Sequence, residues 1–268
     1  QSILILVKGT SNMLFTNIIE VIQDTIEGSD YSLRVHYLDE DADEVKEAVR
    51  MCREHKPMGI LFLGGNIQYF HEEFELVTDR ADKLGFRNLA SVSTDDMAAA
   101  EMAVDYLFDH GHRDIAVIGG DMALSSPSKY RKAGAKRSFI KHGCEFEEES
   151  YAVARFSYES AYNAMNRMLA SQRSITAVFA MSDVMAVGAM RAIFDAGLRV
   201  PEDISVIGFD GTLLADYYNP KIVTVCQGYE KIARKSIDLL FGMIDLNKPA
   251  THELVPFSLK NTESVSSI

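Results

Sequence analysis

Short apolar runs alternate with helically spaced apolar positions along almost the whole chain. ILILV (3–7) reads as a buried strand, and Phe15, Ile18, Ile19, Ile22 and Ile26 after it fall on one helical face. YSLRVHYL (31–38) is a second strand, and Val45, Ala48, Val49 and Cys52 mark a second helix. GILFLGG (59–65), LVTD (76–79) and LASVS (89–93) are further predicted strands, followed by a helix over about 95–110. The pattern restarts at RDIAVIGG (113–120), with strands at YAVAR (151–155), ITAVFAM (175–181), ISVIGF (204–209) and IVTVC (222–226). Helices are predicted near 128–142, 159–172 and 183–196, and a last helix near 229–246 precedes a strand, HELVPFSL (252–259). Such alternation means βαβ units with right-handed crossovers and parallel sheets covered on both faces. Two successive sets of about five strands predict two similar α/β subdomains, although the pattern alone also permits one continuous doubly wound sheet.

The end of a buried strand is a costly place for a charge. In VPEDISVIGFDG (200–211), Asp210 directly follows an apolar strand. Burying it costs several kcal/mol unless something pairs with it. Ligands of open parallel sheets bind outside the carboxyl ends of the strands, so polar residues there are candidates. They are Asp79, Asp95, Asp96, Ser182, Asp183, Asp210 and Gln227. Several acceptors converging on one cleft suit a neutral, hydroxyl-rich ligand, whose hydroxyls donate to carboxylates while accepting from an Arg or an amide. Asp95 or Asp96, and Asp183, each precede a helical run, and for them capping is the better explanation. Asp210 precedes Gly211 and no immediate helix, which favours a functional role.

Composition removes other classes. The formal net charge of −12 opposes contact with phosphates, so this chain should bind neither DNA nor an anionic membrane by itself. No apolar run approaches the ~18 residues of a membrane span. Cys52, Cys144 and Cys226 are widely spaced in apolar surroundings and read as core thiols of a reducing compartment. The chain starts at Gln1 and reaches a strand by Ile3, which suggests an upstream segment. GxGxxG, GxxxxGK[ST] and GxSxG motifs are absent, so neither a dinucleotide cofactor nor a hydrolase elbow is expected. His110 and His112 form H-x-H without a Cys or acidic partner at metal spacing, and no metal is expected.

Three stretches together resemble the lactose-repressor (LacI/GalR) family of bacterial transcription regulators, in its effector-binding domain. They are AVFAMSDVMAVGAMRAIFDAGLRVPEDISVIGFDG (177–211), SVSTDDMAAAEMAVDYLFDHGHRDIAVIGG (91–120) and TSNMLFTNIIEVI (10–22). The resemblance implies a type I periplasmic-binding-protein-like α/β fold: two doubly wound parallel-sheet subdomains, a ligand cleft between them and three crossovers. It also implies a homodimer, with operator DNA bound only through a helix-turn-helix segment upstream of this chain. The expected division is 1–111 with 228–246, and 112–227 with 247–268.

Family binding positions carry over to Arg131, in the R-x-x-G of YRKAG, and to Phe156, with Phe15 as a second cleft aromatic. Asp210 matches a cleft aspartate, Asp79 a cleft position, and Gln227 a crossover. Where many members carry Asn-Asp this chain has Ser182-Asp183; Leu14 replaces an aromatic of some relatives, and Gly228 stands where Pro is frequent. The helix IQYFHEEFE (67–75) runs into LVTD without turn residues, so a break in the chain is expected between about Glu72 and Val77. The reading is a cytoplasmic, non-enzymatic domain that binds a sugar or related polar effector and dimerises. An extracytoplasmic sugar-binding protein of a transporter is the alternative with the same fold.

Overall fold

A computed structural model of the chain describes residues 1–9, 12–66, 90–171 and 173–268. The expected strand LVTD, with Asp79, and the expected break between Glu72 and Val77 lie outside the described residues.

Strand β1 (Ser2–Lys8) is buried on both faces because it is the middle of a parallel three-stranded sheet, between β2 (Ser32–Leu38) and β3 (Gly59–Leu63). Its alternate residues serve two layers, as a period of two requires. Ile5 and Val7 pack with Leu14, Ile18 and Ile22 of α1 (Met13–Ile26) and with Ile232, Ala233 and Ile237 of α8 (Tyr229–Leu246). Leu4 and Leu6 pack with Ala48 and Met51 of α2 (Glu44–His55). Asn12 starts α1 by accepting from the Leu14 N–H, and Asp43 starts α2 by accepting from Val45 and Lys46.

The second sheet has six strands in the order β11-β9-β8-β7-β5-β6. These are β5 (Ile115–Gly119), β6 (Tyr151–Val153), β7 (Ala177–Ala180), β8 (Ser205–Asp210), β9 (Val223–Cys226) and β11 (Ser258–Lys260). All pair in parallel except β11, which runs antiparallel to β9. Helices α3 (Asp96–Asp109), α4 (Ser126–Lys141), α5 (Tyr158–Ala170), α6 (Asp183–Asp195) and the short α7 (Leu213–Tyr217) belong to this half.

Two boundaries differ from the expectation. Ala99, Ala100, Ala103, Val104 and Leu107 of α3 lie in the second core, so the first crossover falls at Thr94–Asp95, just after β4 (Ser91–Ser93), rather than near 111. HELVPFSL is two strands, not one. Its first half, β10 (His252–Leu254), pairs with β4, and its second half is β11, with Pro256 between them where the chain changes sheets. The other two crossovers therefore lie at Gln227–Gly228 and at 255–257. Among the described residues no helix is long and apolar enough to cross a membrane.

Candidate ligand-binding site

The carboxyl ends of both sheets face a cavity of about 530 Å³, within the range of small-molecule sites. Lys8, Phe15, Glu40 and Thr94 contribute from the first subdomain, and Asp121, Arg131, Phe156, Asp210 and Gln227 from the second. Six residues singled out in the sequence are thus brought together: Phe15, Asp96, Arg131, Phe156, Asp210 and Gln227. Phe15 and Phe156 each back onto their own subdomain's core and present aromatic surface to the cavity.

Asp210 closes β8 with φ 114°, a region that side chains other than glycine rarely occupy and that costs about 1–3 kcal/mol. The residue is only 1% exposed. Its Oδ1 accepts from Gln227 Nε2 at 2.7 Å and stands 4.0 Å from Arg131 Nη1. Its Oδ2 is buried and has no hydrogen-bond partner among the described residues, which for a native carboxylate demands an explanation. Burial holds the Asp210 carboxyl well above the usual range; the Arg131 guanidinium opposes this, and Asp183 reinforces it.

Arg131 lies in the second turn of α4, nearly buried. Its Nε donates to Asp96 Oδ1 at 2.7 Å, its Nη1 to the Met181 carbonyl at 2.6 Å, and its guanidinium lies 3.7 Å over the Phe209 ring. Gly134 of the same R-x-x-G makes this possible, because a Cβ there would collide with the Met97 carbonyl of α3. Close approach of α3 and α4 is what sets Asp96 against Arg131. Asp95 is the cap of α3, accepting from the Ala98 N–H at 3.0 Å, while Asp96 turns to the cleft.

Ser182 and Asp183 do not line the cavity. Ser182 caps α6, accepting from the Met185 N–H at 3.1 Å. Asp183 is fully buried: Oδ2 accepts from the Thr212 N–H and hydroxyl at 2.7 and 2.8 Å, and Oδ1 from the Thr224 hydroxyl at 2.6 Å. Burial raises its carboxyl to about 6, against the pull of those donors. The pair clips α6 to β9 and to the loop after β8. His112, half of the H-x-H, is likewise spent inside the fold, on Thr176 Oγ1 at 3.0 Å and the Ser266 carbonyl at 2.9 Å.

Contacts across the cleft mouth were not anticipated. Arg155 pairs with Asp39 at 3.0 Å and with Asp41, and the Phe156 N–H donates to Glu40 Oε1 at 3.0 Å. Asn66 Nδ2 donates to the Ala123 carbonyl at 3.0 Å, and Asn66 Oδ1 accepts from the Ser126 hydroxyl at 3.2 Å. The signal existed: Asp39, Glu40 and Asp41 follow the carboxyl end of β2, the position that drew attention to Asp210.

The profile of the periplasmic binding protein-like domain family matches residues 104–265. The HTH-type transcriptional regulator MalR of Clostridium butyricum is 31% identical over 280 residues, covering 100% of this chain and 83% of that protein. A LacI family transcriptional regulator from Enterococcus faecium with bound ribose superposes with a TM-score of 0.85 at 22% identity, over 100% of both chains. The chain belongs to the lactose-repressor family. A further structure, the transcriptional regulator CelR in complex with cellobiose, superposes with a TM-score of 0.84 at 21% identity, over 98% of this chain and 84% of that one. In lactose-repressor terms the chain is the periplasmic-binding-protein-like, effector-binding part of a DNA-binding regulator, and the cleft between its sheets is the place where an effector would sit.

Proposed function

We propose that the cleft binds a sugar or a related small polar effector, and that the chain dimerises in the cytoplasm as the sensing part of a repressor. Occupancy of the cleft would change the affinity of the regulator's helix-turn-helix segment for its operator. The observation that carries this reading is the buried, unpartnered Oδ2 of Asp210 beside Arg131, at the base of a cavity with Phe15 and Phe156 on its walls. A ligand hydroxyl would satisfy that oxygen, and aromatic faces suit the apolar side of a pyranose or furanose ring. The solved relatives with bound ribose and cellobiose support the same class of ligand. Asp79, Ser182 and Asp183 take no part in this proposal.

A thermal-shift screen against mono- and disaccharides, polyols and nucleosides tests it. A ligand at a hundred times its Kd adds about 2.7 kcal/mol of stability, a shift of several degrees for a domain of this size. If no member of the panel raises the melting temperature at 10 mM, roughly ten times a millimolar Kd, the effector reading fails.

A further inference from the structure

From the charges that face the cleft we infer that its effector is an uncharged polyhydroxylated molecule, and that the site rejects the phosphorylated and carboxylated forms of the same sugar. The inference rests on the cleft being the effector site and goes further by naming what enters it.

Among the described residues three cations line the cavity: Lys8, Arg131 and Arg155. Each already faces an acid of the protein. Lys8 Nζ is 2.9 Å from Glu44 Oε2, with both side chains buried. Arg131 is shared between Asp96 and the backbone of Met181, with Asp210 at 4.0 Å. Arg155 is held by Asp39 and Asp41. An anionic ligand could recruit one of these cations only by releasing a carboxylate that would then lie unpaired, two of them in buried surroundings, and that exchange costs several kcal/mol.

The lining adds more negative charge than positive. Glu40 faces the cavity and accepts from the Phe156 N–H, and burial pushes its carboxyl up against the pull of that bond and of Arg155, with Asp39 and Asp41 adding to the rise. Asp121 lines the second subdomain's side. Three of the helix starts beside the cavity are filled from within. Asn12 caps α1, Ser125 caps α4, and α3 carries Asp95 and Asp96 at its first turn. At the cavity Asp210 keeps a buried oxygen, Oδ2, without a hydrogen-bond partner among the described residues, and a carboxylate oxygen of this kind asks for a hydroxyl donor.

Calorimetry with matched ligands decides the matter. Glucose, ribose, maltose and cellobiose are compared with glucose 6-phosphate, ribose 5-phosphate and glucuronate. The expected result is binding of at least one neutral sugar, with every anionic counterpart weaker by about a hundredfold or more, the size of a like-charge juxtaposition. Glu40→Gln should narrow that gap about tenfold, read as the ratio of neutral to anionic affinity within the variant itself. Tighter or equal binding of an anionic form overturns the inference and leaves the effector reading standing. Silence from both sets, with the protein shown folded by circular dichroism, removes the effector reading and this inference together.

Discussion

Asp210 concentrates most of what is unusual about the site: a positive φ, near-complete burial, one oxygen bonded to Gln227 and one bonded to nothing among the described residues. Losing one charge-assisted hydrogen bond costs about 1.5–3 kcal/mol, roughly 10- to 150-fold in affinity, so Asp210→Asn should weaken the neutral effector by that amount in calorimetry. Arg131→Met should do the same, and the two should not add, because both groups belong to one network. Arg131→Met strands Asp96 and Asp210, so about 3–5 kcal/mol of stability is expected to go with it. Asp210→Asn removes a charge that burial disfavours and should cost less than about 1 kcal/mol. The pH dependence follows from the same shift. In the folded chain Asp210 and Asp183 keep their protons to higher pH than in the unfolded one, where they lose them near 3.8, so their contribution to stability is present below pH 3.8. It is lost as pH rises, for Asp183 through about 6. His112 works in the opposite sense, since burial lowers it from 6.5: its contribution is present above that value and lost as pH falls. Urea unfolding of wild type and Asp210→Asn at pH 4.5 and 7.5 isolates the carboxylate term. The variant should gain relative stability at the higher pH, and parallel curves would show that Asp210 does not titrate with folding.

At the scale of elements, the chain's periodicities were sufficient to place β1–β3, α1, α2 and the strands from β5 to β9. They said which face of α3 is apolar but not which sheet that face covers, and for this reason the subdomain boundary moved from 111 to Thr94–Asp95. In the same way, Ser182 and Asp183 were legible as polar residues at a strand end. Their burial against Thr212 and Thr224 depends on β9 and the loop after β8, which are distant in sequence. Gly134, in the R-x-x-G of α4, shows how a residue serves the site without lining it. Gly134→Ala would set a methyl group against the Met97 carbonyl, which is helix backbone and cannot yield as a flexible side chain can. Overpacking of this kind costs about 1–3 kcal/mol and would push α4 away from α3, lengthening the 2.7 Å contact between Arg131 and Asp96. Effector affinity should therefore fall although Gly134 does not line the cavity. Gly134→Ala with normal affinity would show that the helix spacing does not set the position of Arg131.

As a whole, the molecule joins two subdomains by three crossovers at one end of the cleft and by polar contacts at its mouth, an arrangement suited to hinge closure. Its charge of −12 offers no phosphate-binding face, so residues 1–268 should show no operator affinity in fluorescence anisotropy even at 50 mM salt. In the intact regulator, affinity should instead fall steeply with salt. Sequence-specific binding by 1–268 alone would refute that division of labour. The mouth contacts make a prediction of their own. Arg155 reaches from the loop after β6 to Asp39 and Asp41, and its neighbour's N–H holds Glu40. All three acids sit after β2, so the contacts exist only while the two subdomains are together. Arg155 is exposed, and solvent screens such pairs, so their effect on closure is modest. An effector that binds the closed form must supply whatever free energy the clasp does not, since a ligand shifts an equilibrium only by its differential affinity for the two states. Arg155→Ala should leave the melting temperature of the unliganded chain nearly unchanged and weaken effector binding about two- to fivefold. Small-angle scattering should show a larger radius of gyration for the unliganded variant than for wild type, and the difference should vanish at saturating effector. Identical scattering and identical affinity would mean that closure is set by the crossovers and by Asn66 with Ala123 and Ser126, and that the Arg155 pairs are surface decoration.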